Sequence, residues 1–169
     1  MGKTKLNIGS SWPDKAFQGD KWINLDLVHT GGESVRANAL ELPFRDKQFQ
    51  KVVMIHTLEH LPRNHTLPCL KEICRVTAGS AFIEVPDLPP IVEALSRAYK
   101  VNDRAKIHDL SVGIYGKSDR PGMAHLNGFD EEKLRNLMLE AGFKVITRET
   151  TMISNHYKKG SVLLLKGTT

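Results

Sequence analysis

At 169 residues, with 40% hydrophobic and 25% charged side chains, the chain has the length and balance of one soluble globular domain with a full core. No apolar run approaches the roughly 18 residues of a membrane span, and no signal-like block precedes the first strand pattern. The expectation is a cytoplasmic protein without a membrane partner. Net charge is +5, from 24 Lys and Arg against 19 Asp and Glu, a mild excess that does not by itself mark a nucleic-acid binder.

In chain order, Lys5 to Ile8 reads as a first strand, Trp22 to Leu27 ("WINLDL") as a second and Ser34 to Arg36 as a short third. "KVVMI", Lys51 to Ile55, and "SAFIEV", Ser80 to Val85, follow as strands four and five. These short apolar runs lack strict alternation, as expected of parallel strands covered on both faces. Leu67, Leu70, Ile73 and Cys74 keep helical spacing within Thr66 to Val76, and Gly79 closes that segment. Asp87 is a candidate N-cap for a helix carrying Ile91, Leu95, Ala98 and Tyr99 on one stripe, with Pro89 and Pro90 tolerated in its first turn.

Asn102 to Asn127 shows weak periodicity and is expected to be a long irregular, lid-like insert. Six basic residues between Arg97 and Arg120, against three Asp, give that region a local positive charge. Asp130 to Gly142 is the clearest helix, with an Asp cap, acids at the positive end of its dipole and a glycine stop. Two more strands, Lys144 to Glu149 and Gly160 to Lys166, are close enough to pair directly. Repeated βα alternation predicts an α/β fold: a Rossmann-like, mostly parallel sheet of seven strands, with an antiparallel C-terminal edge and helices on both faces. Cys69 and Cys74 lie on different faces of one helix, so they are expected as buried reduced thiols. Neither they nor any other residues are read as a metal site.

Ligands of such sheets bind outside the carboxyl ends of the strands, where strand order reverses. Gly9 ends strand one, where the absence of a Cβ lets the backbone turn and a ligand approach. Asp26 ends strand two, where a carboxylate can accept two hydrogen bonds from ribose hydroxyls. No G-x-G-x-x-G follows strand one, which argues against a nicotinamide dehydrogenase.

The stretch "RANALELPFRDKQFQKVVMIHTLEHL", Arg36 to Leu61, adds Leu-Pro-Phe, a buried strand and Leu-Glu-His, and "EAGF" stands at Glu140 to Phe143. Together with the strand-one loop and Asp26, these residues resemble the class I S-adenosylmethionine-dependent methyltransferases, specifically the small methyltransferase type 11 branch, from Leu6 to about Lys166. The resemblance implies S-adenosylmethionine as cofactor. It implies Asn7, Gly9 and Ser11 near the methionine part, Asp26 and Leu27 at the ribose and adenine, and Asn38, Ala39 and Leu40 along the adenine edge. It also implies His56, at the carboxyl end of strand four, facing the methionine end and the acceptor. Asn7, Ser11 and Asn38 depart from the family's usual acid, glycine and acid. The usual helix after strand one has little room beside Pro13 and Gly19, and the family's N-terminal helical layer is expected to be reduced, which leaves a flank that a second copy of the chain could cover.

An oxygen or nitrogen acceptor can want a base within hydrogen-bond reach, and His56, His60 and His125 are the candidates. His125 lies in "HLNGF", a stretch with counterparts in related sequences. Glu59 reads equally well as the half-exposed start of a helix. The expected function is a methyltransferase acting on a small-molecule or glycan-type acceptor. Two alternatives stay open: a non-catalytic relative acting as a binding or regulatory subunit, and an RNA-binding or RNA-modifying protein, for which an aromatic-rich basic face is lacking.

Overall fold

A computed structural model describes residues 4–10, 17, 21–28, 34–117, 119, 121–149 and 162–169. Its centre is a seven-stranded sheet of β1 (Lys5–Ile8), β2 (Trp22–Asp26), β3 (Ser34–Arg36), β4 (Phe49–Ile55), β5 (Thr77–Pro86), β6 (Val145–Arg148) and β7 (Val162–Thr168). The strand order is β3-β2-β1-β4-β5-β7-β6. β1 pairs in parallel with both β2 and β4, and β7 runs antiparallel between β5 and β6. The order therefore reverses between β1 and β4, and the crevice of a switch point opens at their carboxyl ends.

The central strands are apolar because both of their faces are covered. Val52 and Met54 turn to one side, where α1 (Arg63–Val76) and α4 (Glu131–Glu140) place Leu70, Ile73, Leu134 and Met138 into the main core. Val53 turns to the other side and joins Phe17 and Trp22 in a smaller cluster. Among the described residues that second face is finished by lysines lying over aromatic rings: Lys5 over Trp22 at 5.4 Å and Lys51 over Phe82 at 4.7 Å. Burial, with Lys5 and Lys166 nearby, pushes the Lys51 ammonium below its ordinary range.

The sheet, its antiparallel edge and the direct pairing of the last two strands agree with the sequence reading. Three details differ. First, α1 begins at Arg63, ahead of Thr66, because its opening turn is polar and carries no apolar period. Second, Asp87 stands at the N-cap of α2 (Leu88–Lys100) without capping it; its carboxylate pairs with Arg148 at 2.9 Å instead. Third, the expected irregular insert contains α3 (Arg104–Tyr115), capped by Asp103, which accepts from the Lys106 amide, and packed against α2. The strand-one loop beyond Ser10 and the turn before β7 lie outside the described residues, and the expectations about Ser11 and a shortened first helix fall there. Cys69 and Cys74 are buried free thiols. No helix among the described residues is long and apolar enough to cross a membrane.

Arg75 explains the Leu-Pro-Phe segment. Its guanidinium donates to both oxygens of Glu72 at 2.7 Å, to the carbonyls of Leu42 and Phe44 and to Asp46. Glu72 in turn accepts from the Leu42 amide at 2.7 Å. Phe44 meets the buried Phe49 edge-on at 4.9 Å. The loop between β3 and β4 is thereby fastened to α1, and that loop carries Asn38 to Leu40. Because the network is partly exposed, Arg75→Ala should lower the unfolding free energy by about 1–2 kcal/mol in urea denaturation.

Candidate functional site

The carboxyl end of β1 is built around a close contact. Gly9 has φ +80, and a Cβ at that position would collide with the Thr57 side chain at the end of β4. The Gly9 and Ser10 amides donate to the Leu25 carbonyl at 2.8 and 3.1 Å, so the loop is drawn towards β2. Ser10 is buried, and its hydroxyl has no hydrogen-bond partner among the described residues. A buried hydroxyl left in this state costs free energy unless a ligand group meets it. Asn7 is buried too, and its amide donates to Asn24 at 3.0 Å across the β1–β2 register. The first loop therefore offers Ser10, which motif matching passed over, while Asn7 ties the two strands together.

Asp26 ends β2 almost fully buried, and one carboxylate oxygen accepts from the Val28 amide at 2.8 Å. Beyond it Leu27 and Val28 are exposed, an apolar surface beside an acid. The Ala37 amide donates to the Asp26 carbonyl at 3.1 Å, which brings Asn38, Ala39 and Leu40 to the same edge. Asn38 is exposed, and its side-chain carbonyl already accepts from the Leu40 amide. That oxygen keeps its second lone pair, and the amide nitrogen adds two donors.

At the end of β4, His56 takes the left-handed conformation with φ +46, a strained state for a non-glycine residue. Its amide donates to the Glu84 carbonyl. Its Nδ1 lies 3.3 Å from Glu59 Oε1 and its Nε2 3.2 Å from Glu84 Oε1, and both acids are essentially inaccessible. Burial alone would lower the ring's pKa; the hydrogen bonds and charges of the two carboxylates together outweigh burial and raise it to about 9. The ring is therefore an imidazolium clamped between two acids at neutral pH, which leaves it without a lone pair for a general base. Glu84 was visible in the sequence as the only charge in an otherwise apolar strand, yet its partner could not be read.

The 3-10 turn Leu58–His60 sets the next pair. His60 Nδ1 lies 3.0 Å from the Ala124 carbonyl, and His125 Nδ1 3.1 Å from the Gly113 carbonyl. A carbonyl can only accept, so each Nδ1 carries a proton, and in the neutral ring each Nε2 keeps a lone pair. The two rings meet edge-on at 4.9 Å. Burial, ahead of the neighbouring charges, lowers the His125 pKa, so this ring is neutral at neutral pH. The Leu126 and Asn127 amides both donate to the Glu59 carbonyl, and the Asn127 side chain donates to the Leu61 carbonyl and towards Thr66. The "HLN" segment is thus stitched onto the "LEH" turn. Glu59 is only 1% exposed, and its Oε2 has no hydrogen-bond partner among the described residues.

This strand order is that of the class I S-adenosylmethionine-dependent methyltransferase fold, and residues 18–83 match a family model described as a methyltransferase domain. A methyltransferase from Thermotoga maritima is 18% identical, with 97% of this chain and 81% of that one covered at a TM-score of 0.62. One from Archaeoglobus fulgidus is 16% identical over 98% of this chain and 85% of that one, at 0.63. The 1,6-didemethyltoxoflavin N1-methyltransferase of Burkholderia thailandensis, with its acceptor and S-adenosylhomocysteine bound, is 16% identical over 97% of this chain and 69% of that one, at 0.60. No curated protein matches the chain by sequence. The resemblance read from the sequence holds: the chain has the class I methyltransferase fold.

Two expectations follow from the geometry. Gly9→Ala meets both a left-handed backbone, worth about 1–2 kcal/mol, and the Thr57 collision, so thermal melting should show a larger loss than that strain alone; Thr57→Gly should restore part of it. The His56 contribution to stability is complete below about pH 6.5, the ordinary value of an unfolded histidine, and disappears as pH rises through about 9. Unfolding free energies measured across that window should fall in the native chain and stay flat in His56→Gln.

Proposed function

We propose that the chain is an S-adenosylmethionine-dependent methyltransferase acting on a small-molecule or glycan-type acceptor through an oxygen or nitrogen atom. The observation that carries this reading is the juxtaposition, at the switch point, of the buried Asp26 carboxylate with the unpartnered Ser10 hydroxyl. Both suit the cofactor: a ribose offers hydroxyl donors to Asp26, and Ser10 can meet a polar group on the approach to the methionine end. When bound, S-adenosylmethionine supplies a methyl group on a sulfonium that is electrophilic without help from the protein.

The remaining work is positioning. Leu27 and Val28 give the adenine an apolar neighbour, and Asn38 to Leu40 line its edge from the loop that Arg75 fastens. The imidazolium of His56, fixed by Glu59 and Glu84, shapes the floor between cofactor and acceptor and does not take a proton. His60 and His125 each present an Nε2 lone pair beside that floor, and either can accept the proton that an acceptor hydroxyl or amine gives up. The end of α3 holds His125 through the Gly113 carbonyl, where an irregular lid was expected.

Calorimetric titration with S-adenosylmethionine and S-adenosylhomocysteine tests the reading. Micromolar binding is expected, weakened at least about tenfold by Asp26→Ala, given about 1.5–3 kcal/mol for each charge-assisted hydrogen bond. Asp26→Asn keeps the bond from Val28 and separates loop structure from ligand contact. No binding of either ligand would sink the proposal. Binding without methyl release across sugar and small-molecule acceptors would leave a non-catalytic relative.

A further inference from the structure

We propose that Glu59, His60 and His125 form a binding site for a divalent first-row transition-metal ion. One ligand atom from each residue lies within 4.8 Å of the other two. The two histidines arrive from segments far apart in the chain, and backbone hydrogen bonds from Leu126 and Asn127 to the Glu59 carbonyl hold those segments together.

Three features go beyond proximity. Each histidine has its Nδ1 against a backbone carbonyl, at 3.0 and 3.1 Å, and this fixes the tautomer that leaves Nε2 free to ligate. That is the outer-shell arrangement by which proteins orient metal-binding imidazoles. Glu59 is 1% exposed and spends Oε1 on His56, yet Oε2 has no hydrogen-bond partner among the described residues. A buried carboxylate oxygen without a donor is costly, and a cation bound there removes the cost. Finally, the half-buried histidines leave a path for an ion to enter.

The ligand chemistry selects the metal class. Two imidazoles and one carboxylate suit Mn²⁺, Fe²⁺, Co²⁺ or Zn²⁺ and disfavour Mg²⁺ and Ca²⁺, which take oxygen ligands. Bonds of about 2.1 Å place tetrahedral ligands roughly 3.4 Å apart, so the three side chains must draw closer than the 4.8 Å within which their ligand atoms now lie. Three protein ligands leave further coordination positions open. The binding site stands on its own geometry. Its use rests on the methyltransferase reading: the open positions would hold hydroxyl oxygens of the acceptor beside His56, which narrows the acceptor to a compound with oxygen donors. The Nε2 lone pairs cannot serve a metal and a proton at once, so a bound ion replaces the two histidines as bases.

The test is titration of the metal-stripped full chain with CoCl₂, MnCl₂ and MgCl₂, followed by calorimetry and by the visible absorption of Co²⁺. One equivalent of Co²⁺ should bind, with Mg²⁺ far weaker. His60→Asn and His125→Asn should each weaken Co²⁺ roughly tenfold or more, as should Glu59→Gln, while His108→Ala on the exposed face of α3 leaves it unchanged. Circular dichroism reports folding, and if Glu59→Gln fails to fold the two histidine variants decide. Absence of stoichiometric Co²⁺ binding, or binding that both histidine variants retain, overturns the site. S-adenosylmethionine titration of the same samples keeps the readings apart: Co²⁺ binding without cofactor binding overturns the proposed function and leaves the metal site standing.

Discussion

The contact between Gly9 and Thr57 is the constraint on which the site depends. Parallel pairing brings β1 and β4 side by side, and at their carboxyl ends the two chains must diverge to open a crevice. They do so at minimum separation, with a glycine in a left-handed turn directly against a threonine side chain. From that point the β1 loop is pulled towards β2 by the Leu25 carbonyl, and β4 turns through the strained His56. The glycine is thus first a packing requirement, and the ligand-facing consequences follow from the turn it permits. Any larger residue would meet the Thr57 side chain and force one of the two loops to shift.

His56 shows how the strain is held. A left-handed non-glycine residue costs about 1–3 kcal/mol, and here two buried carboxylates and a backbone hydrogen bond to Glu84 fix it. Buried ion pairs seldom add net stability but strongly resist removal of one partner. That property suits a floor that must stay fixed while ligands enter on either side. Glu59 joins the two halves: one carboxylate oxygen belongs to the His56 clamp, the other has no hydrogen-bond partner among the described residues, and its carbonyl anchors the segment that carries His125.

Much of the frame was legible in the sequence because burial on both faces leaves continuous apolar runs, as in "KVVMI", where Val52, Val53 and Met54 are fully buried. Asp26 was legible because a strand-end acid has a geometric role that sequence position alone defines. The illegible parts have a common cause, which is that their partners are distant in the chain. Ser10 looks like any turn serine until burial leaves its hydroxyl unpartnered. Asp87 has the composition of a cap, yet Arg148 competes for its carboxylate and wins. Glu59 reads as a half-exposed helix start and is buried because residues 124–127 close over it. The helix α3 escaped notice because only Ile107 among its residues is buried, so its apolar positions trace no clear stripe.

That helix changes what the long connection does. A structureless lid would leave His125 free to sample many positions. Instead the Gly113 carbonyl holds the ring, the Tyr115 carbonyl accepts from the His125 amide, and the reversal between them turns on Gly116 at φ +75, where a Cβ would collide with the Met123 carbonyl. The histidine is therefore positioned by the end of a helix that itself packs on α2. The ring is thus held from two sides, by the end of α3 through Gly113 and Tyr115 and by the bonds that tie Ala124, Leu126 and Asn127 to His60 and Glu59.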